Sequence, residues 1–350
     1  MSSRTRIVLG VVAAGVLALF TLQSSALIEW LGFRSFGKVE QIRLAAYEGD
    51  VGALEWIAQD MGFYQQVGLN VDLKGYASGK DAADALDAGL VDVATASEYV
   101  VATKSFAQPD LRILGSISYY RNKSIVARGD RGIAVTADLK GKRIGVTSPS
   151  GAEYSLYVFL ALQGLSDKDV TIVNLPPKQL VDAVTSGDID AAITWQPHAR
   201  EIEQRLGATA VTFHGDGFDT YLLLVTKQKR APAKDVSERL LKAMVLAGDW
   251  VAAHPEDAKR YIATRFKLEP AYVSALWPSM PLEVTLPQEL LVAMDGEARW
   301  LAKKNPGAGS VIPNYAGFID AGPLKAVRPS AVTLYTEAKP AKPISTVAER

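Results

Sequence analysis

Ser148, Ser150 and Gly151 stand in a Ser-Pro-Ser-Gly turn. The turn lies between an apolar run, Arg143 to Thr147, and a stretch with Tyr154, Tyr157, Val158 and Ala161 at helical spacing. A strand, a tight turn and a helix start follow one another here, and serine is a preferred helix cap. The start of such a helix presents backbone N–H groups at the positive end of its dipole, where a small anion or polar group is held without lysine or arginine. The same residues are equally accounted for if Ser150 does no more than cap its helix. Thiol chemistry is excluded, because the chain contains no cysteine. That removes disulfides, cysteine nucleophiles, thiolate metal sites, iron–sulfur clusters and a lipid-modified cysteine anchor. His198, His214 and His254 lack metal-ligand spacing, and the stretch His214 to Asp219 lacks the alternating oxygen ligands and closing glutamate of an EF-hand.

The elements that must position such a turn are legible around it. With 350 residues, 48% of them apolar, the chain is long enough for two ordinary cores. Lysine plus arginine balance aspartate plus glutamate at 38 each, which gives no reason to expect nucleic acid as a partner. Arg4 and Arg6 precede an uncharged stretch from Ile7 to Ile28, the pattern of an export signal. Ser24-Ser25-Ala26 fits a cleavage site and the apolar length fits a membrane span, so secreted and membrane-anchored forms both stay open. From Gln41 on, strands (Ile42–Tyr47, Leu69–Gly75, Val91–Ala96) alternate with helical segments, which implies a parallel sheet built from right-handed crossovers. The order recurs: Asp84 to Ala94 aligns without gaps on Asp182 to Ala192, each copy reading as a helix end, a glycine and a buried strand. Two α/β lobes follow, each a mostly parallel sheet flanked by helices. The expected division is a signal or anchor at 1–37, lobe one at 38–118, lobe two at 119–226, a helical return to lobe one at 227–335 and a mobile tail at 336–350. Tyr119 to Lys123 and His214 to Gly217 read as the crossings.

Ligands of open α/β sheets collect outside the carboxyl ends of the strands. In lobe one those positions hold Glu48 and Asp50, then Ser78 and Gly79, then Thr95 and Ser97; in lobe two they hold Ser148, Ser150 and Gly151, then Trp195. Asp92 and Asp190 are equivalent in the repeat, so Ser97 and Trp195, each five residues further on, belong on opposite walls of one cleft. Ser97 would offer a hydroxyl, and Trp195 a flat wall or its indole N–H, unless Trp195 packs beneath the Gln196-Pro197 turn. The set suits recognition of a small polar molecule rather than catalysis, with no cofactor or metal.

Trp56-Ile57-Ala58 with Met61 to Val71, Gly89 to Ala94, Asp138 to Val146, and Gly187 to Ala192 leading to Trp195-Gln196-Pro197 occur in an order and spacing that resemble a known family. It comprises the solute-binding proteins of ABC importers for alkanesulfonates, taurine, nitrate and related small molecules. The resemblance implies the two-lobed periplasmic-binding architecture, type II, and capture of a small polar or anionic molecule between closing lobes. It further implies a monomer outside the cytoplasm that delivers ligand to a permease and an ATPase. The family's loop after the first strand usually carries small or aromatic residues, whereas here it carries Glu48 and Asp50, which admits a ligand with an amino group. A sensor module for a membrane partner and a binder of a thiamine-pyrimidine precursor are the alternative readings. Enzymes of similar architecture depend on cysteines that this chain lacks.

Overall fold

The computed structural model describes residues 38–215, 219–304 and 311–335. The expected signal or anchor and the expected tail lie outside the described residues. Among the described residues no helix is long and apolar enough to cross a membrane.

The first half runs β1 (Glu40–Tyr47), α1 (Ala53–Asp60), α2 (Phe63–Gln66), β2 (Leu69–Tyr76), α3 (Gly79–Asp87), β3 (Val93–Ser97), α4 (Glu98–Ser105) and β4 (Leu111–Tyr120). The chain then enters a second unit with β5 (Lys123–Arg128), β6 (Arg143–Val146), α5 (Gly151–Leu162), β7 (Thr171–Asn174), α6 (Pro177–Ser186), β8 (Ala191–Trp195), α7 (His198–Leu206) and β9 (Ala210–Phe213). It returns through β10 (Thr220–Lys227) and ends in α8 (Lys234–Ala253), α9 (Pro255–Arg265), α10 (Pro270–Leu276), α11 (Gln288–Lys304) and α12 (Gly322–Val327). Two five-stranded sheets result, ordered β2-β1-β3-β10-β4 and β7-β6-β8-β5-β9. β2-β1-β3 and β7-β6-β8 pair in parallel, while β10 and β5 each pair antiparallel on both sides, so four of the five strands in each sheet run the same way and the sheets are mixed but mostly parallel, as expected. β5 and β10, the strands by which the chain enters each sheet from the other, follow no crossover helix and run in the opposite direction.

Two expectations shift. Thr220–Lys227 lies in the first sheet between β3 and β4, so the stretch assigned to lobe two up to residue 226 gives up its last strand. All eight residues of β10 are buried, as an interior strand of the larger core requires. The two crossings run side by side, tied by an ion pair between Arg121 and Asp219 and by the tilted rings of Tyr119 and Tyr221, 4.9 Å apart. Helix α5 buries Ala152, Ser155, Leu156, Phe159 and Leu160, not the face carrying Tyr154 and Tyr157. It is apolar almost all round, so periodicity alone does not single out its inner side. Helices α8 to α12 share one core with the first sheet.

The repeat has a physical content that the letters alone do not carry. In one copy the Asp92 carboxylate accepts the Arg43 backbone N–H at 2.9 Å and its guanidinium at 2.6 and 3.1 Å, while Asp92 N–H donates to Arg43 C=O at 2.9 Å. In the other copy Asp190 does the same for Arg143, with the backbone contact at 2.9 Å and guanidinium contacts at 3.0 and 3.3 Å. Each aspartate thus adds a rung to the ladder just before β3 or β8 begins, fixing the registers Leu44 to Val93 and Ile144 to Ala191. The carbonyls of Gly89 and Gly187 accept the same arginines at 3.3 and 2.9 Å. These glycines take φ of +74° and +88°, which other residues rarely adopt.

Burial pushes the pKa of Asp190 up, yet the Arg143 hydrogen bonds outweigh it and hold the carboxyl below its ordinary value. Because the Asp190 side chain is 11% exposed against 27% for Asp92, Asp190→Ala is expected to cost about 2–3 kcal/mol in urea unfolding and Asp92→Ala less. Equal or reversed costs would show that these contacts do not lock the register.

Candidate ligand-binding site between the two sheets

The loop after β1 is tightly bound to its own lobe. Glu48 is exposed and pairs with Arg265 at 3.4 Å, and that guanidinium lies 4.1 Å above the ring of Trp56. Asp50 is buried; its carboxylate accepts the Tyr272 hydroxyl at 3.1 Å and the Val51 N–H at 2.8 Å. Burial pushes the Asp50 carboxyl up despite these donors, and burial beside Asp50 pushes Tyr47 up to about 12. Both carboxylates that the sequence singles out are therefore already partnered.

Ser78 caps α3, accepting from Asp81 N–H at 3.1 Å and donating to its carboxylate at 2.7 Å. Gly79 is a packing glycine: a Cβ there would lie 3.0 Å from Ala96 Cα and 3.3 Å from Ser97 N. Thr95 does not line a wall. It is fully buried, its hydroxyl accepting from Tyr47 N–H at 2.8 Å beside the carboxylate of Glu55 at 3.4 Å. Thr95 and Ser97 share one face of β3; Thr95, two residues inside the strand, is covered, whereas Ser97 stands at its end.

Ser97 and Ser150 cap the two helices that meet here, α4 and α5. Ser97 Oγ accepts from Val100 N–H at 3.4 Å, and Ser150 Oγ accepts from Ala152 N–H at 3.2 Å while donating to Thr147 C=O at 2.5 Å. Ser148 donates to Glu153 at 2.7 Å. The helices meet at Gly151: a Cβ on it would stand at ordinary contact distance, 3.6 Å from Tyr99 Cβ of α4 and 3.7 Å from Lys123 Nζ of β5. Trp195 lies directly opposite Lys123 across the β5–β8 pair, so both side chains project from the same face of the sheet. Trp195 is half-buried, with the His198 ring edge-on at 6.5 Å.

Sequence reasoning missed the charged centre of this arrangement. Lys123, Glu98 and Glu297 are all buried, on β5, α4 and α11 respectively. Lys123 Nζ donates to Ser155 at 3.0 Å, and Glu98 accepts the Tyr221 N–H at 2.9 Å. In sequence, Glu98 reads as an ordinary acidic residue in a first helical turn and Lys123 as the edge of a crossing. Glu297 is distant from both, and only its place on the buried stripe Leu290, Met294, Ala298 and Leu301 marks it. Helix α11 also reaches α5: Trp300 packs against Tyr154 at 5.7 Å and Tyr157 at 6.0 Å, and Lys304 pairs with Glu153.

Burial dominates the electrostatics of the cluster. It pushes Glu98 up to about 7 against the pull of Lys123, pushes Glu297 well above the carboxylate range with Glu98 adding to the effect, and lowers Lys123. A carboxyl raised on folding binds protons that the unfolded chain has released. Its contribution to stability is therefore greatest at acidic pH and is lost as pH rises toward and through about 7. The slope of melting temperature between about pH 5 and about pH 7.5 should accordingly become less negative in Glu98→Gln than in the parent chain. Identical slopes would show that Glu98 titrates as an ordinary surface carboxylate.

Residues 53–258, more than half of the chain, match the family model described as "NMT1/THI5 like". The chain is 25% identical to the taurine-binding periplasmic protein of Escherichia coli (strain K12), covering 80% of this chain and 82% of that one. It is 28% identical to the putative aliphatic sulfonates-binding protein of Bacillus subtilis (strain 168), covering 58% and 63%. Among solved structures, the alkanesulfonate-binding protein SsuA of Xanthomonas axonopodis pv. citri, bound to MOPS, superposes with a TM-score of 0.66 at 19% identity, covering 81% of this chain and 99% of that one. Two mixed sheets meeting at their strand ends are thus the periplasmic-binding fold, and the chain belongs to the NMT1/THI5-like family.

Proposed function

We propose that this protein is the extracytoplasmic solute-binding component of an ABC importer and captures a small organic anion, with organosulfonates the favoured class. The observation that carries this reading is the meeting of two capped helix starts, Ser97 on α4 and Ser150-Gly151 on α5, beside the Lys123 ammonium. Backbone N–H groups of helix starts and one buried cation make a site for a compact anion that needs no catalytic group. The family match and the taurine- and sulfonate-binding relatives support the same ligand class. Under this reading the protein is a binder rather than an enzyme, it works with a permease and an ATPase, and it acts as a monomer whose two lobes close on the ligand. Ser97 and Trp195 supply opposite walls, with Ser148, Ser150 and Gly151 at the anion end; Glu48, Asp50, Ser78 and Gly79 shape the rim, and Thr95 supports it from within.

A thermal-shift series with short alkanesulfonates, taurine, nitrate, bicarbonate and a pyrimidine precursor tests the ligand class. A ligand present at about 100 times its Kd adds about 2.7 kcal/mol of stability, so a sulfonate should raise the melting temperature in a concentration-dependent way. A shift with the pyrimidine alone would overturn the sulfonate assignment.

Trp195→Ala separates a wall from a core role. A wall residue loses at least about tenfold in affinity, about 1.4 kcal/mol, with the ligand-free protein little changed. A core residue costs the ligand-free protein about 3–5 kcal/mol. Calorimetry that finds unchanged affinity in both Ser97→Ala and a folded Trp195→Ala would remove both residues from the site.

A further inference from the structure

Two carboxyl groups share one ammonium behind the two helix starts. Glu98, 2% exposed, is the first residue of α4 and accepts the Tyr221 N–H of β10 at 2.9 Å. Glu297, 3% exposed, comes from α11, which packs along α4, and one of its carboxyl oxygens is buried without a hydrogen-bond partner among the described residues. Lys123, 8% exposed, lies within electrostatic reach of both acids; its Nζ donates to Ser155 at 3.0 Å and makes no ion pair among the described residues. The same ammonium stands 3.7 Å from where a Cβ of Gly151 would begin, at the start of α5.

The groups around this pair are already paired or stay neutral. Asp219 is held by Arg121, Glu153 by Lys304 and Asp295 by Arg299. Tyr120 of β4, Tyr221 of β10 and Tyr154 of α5 face Glu98, and Tyr99 and Tyr315 face Glu297; burial pushes all five phenols up, so they keep their protons. A buried carboxyl with an unmatched oxygen is least costly when neutral, so the pair carries one proton and leaves one negative charge facing Lys123. Coupled acids titrate as a unit, and that proton belongs to the pair rather than to one member. Burial, working against the pull of Lys123, places Glu98 at about 7, which brings a second proton within reach at neutral pH. An anion at the start of α5 needs the same ammonium. Two negative charges beside one buried cation repel each other with little solvent between them, and a proton from solvent on the carboxyl pair removes one of the two.

We propose that anion capture is coupled to proton uptake: the pair of Glu98 and Glu297 holds one proton when no anion is bound and two when an anion lies beside Lys123. This rests on the reading that the helix starts bind a small anion, and it adds a regulation by pH to that site. The proton comes from solvent, and no other bond forms or breaks. Because the bound form holds more protons than the free form, affinity is greatest at acidic pH and falls as pH rises through neutrality. A carboxyl pair remote from the anion, or one doubly protonated from the start, takes up nothing.

The test uses the full-length protein and two probes that stay ionised throughout, ethanesulfonate and nitrate. In unbuffered solution held at about pH 7.5, saturation with a probe should consume a large fraction of one proton per site, and Glu98→Gln should consume close to none. The Kd should rise about five- to tenfold between about pH 6 and about pH 8. If Glu98→Gln does not fold, difference infrared spectroscopy of the parent protein decides: binding should add the carbonyl band of a protonated carboxyl, and its absence overturns the proposal. Binding with no proton consumed and a flat pH profile overturns it as well, as does uptake that persists in Glu98→Gln or binding of neither probe. The organosulfonate reading fails separately, if nitrate binds with proton uptake and ethanesulfonate does not bind. Ethanesulfonate bound without proton uptake leaves that reading standing and removes this one.

Discussion

Two carboxylates decide where the functional ends of this fold lie. Asp92 and Asp190 each bind the backbone N–H and the guanidinium of an arginine on the neighbouring strand, one residue before that strand's pairing begins. A parallel pair has no hairpin to set its register, so a slip of one residue would turn every side chain to the other face. With the register fixed, Ser97 and Trp195 end their strands at equivalent heights in the two sheets. The glycines at residues 89 and 187 complete each lock, because only a left-handed backbone lets the helix end and present its carbonyl to the same arginine.

The site inherits its electrostatics from that placement. Strands that end level deliver helix starts that meet, and the first turns of α4 and α5 bring partial positive charge to one place. Gly151 marks the approach, with Tyr99 and Lys123 at ordinary contact distance from where a side chain would begin. Acidic residues near such a point are stabilised by the helix dipole and penalised by burial, and for Glu98 burial wins. Buried ionisable groups of this kind do little for stability.

The alternation of strands and helices, the repeat and nearly all element positions were legible in the sequence, because period, caps and glycine stops are local signals. The capping serines were legible for the same reason. Four things were not. The direction of β5 and β10 depends on which sheet they join, a nonlocal choice that for β10 goes with its complete burial in the larger core. The inner face of α5 was misassigned because its apolar residues encircle the helix. Thr95 looked like a strand-end residue, yet it lies two residues short of the end and its side chain falls on the buried pleat. The Glu98, Lys123 and Glu297 cluster was invisible for a fourth reason: its members come from three elements, and none is unusual in its own local context.

Helix α11 connects these levels. Its apolar stripe belongs to the core of the first sheet, while Trp300 lies against two tyrosines of α5 in the second unit. The approach is close, since a Cβ on Gly296 would stand 2.7 Å from the Tyr154 hydroxyl. A helix seated on one core and touching the other responds to any rotation between them, and Glu297 sits one residue from that contact. Glu297 and the relative position of the two sheets are therefore tied to one element, so a shift of one sheet against the other reaches the buried cluster.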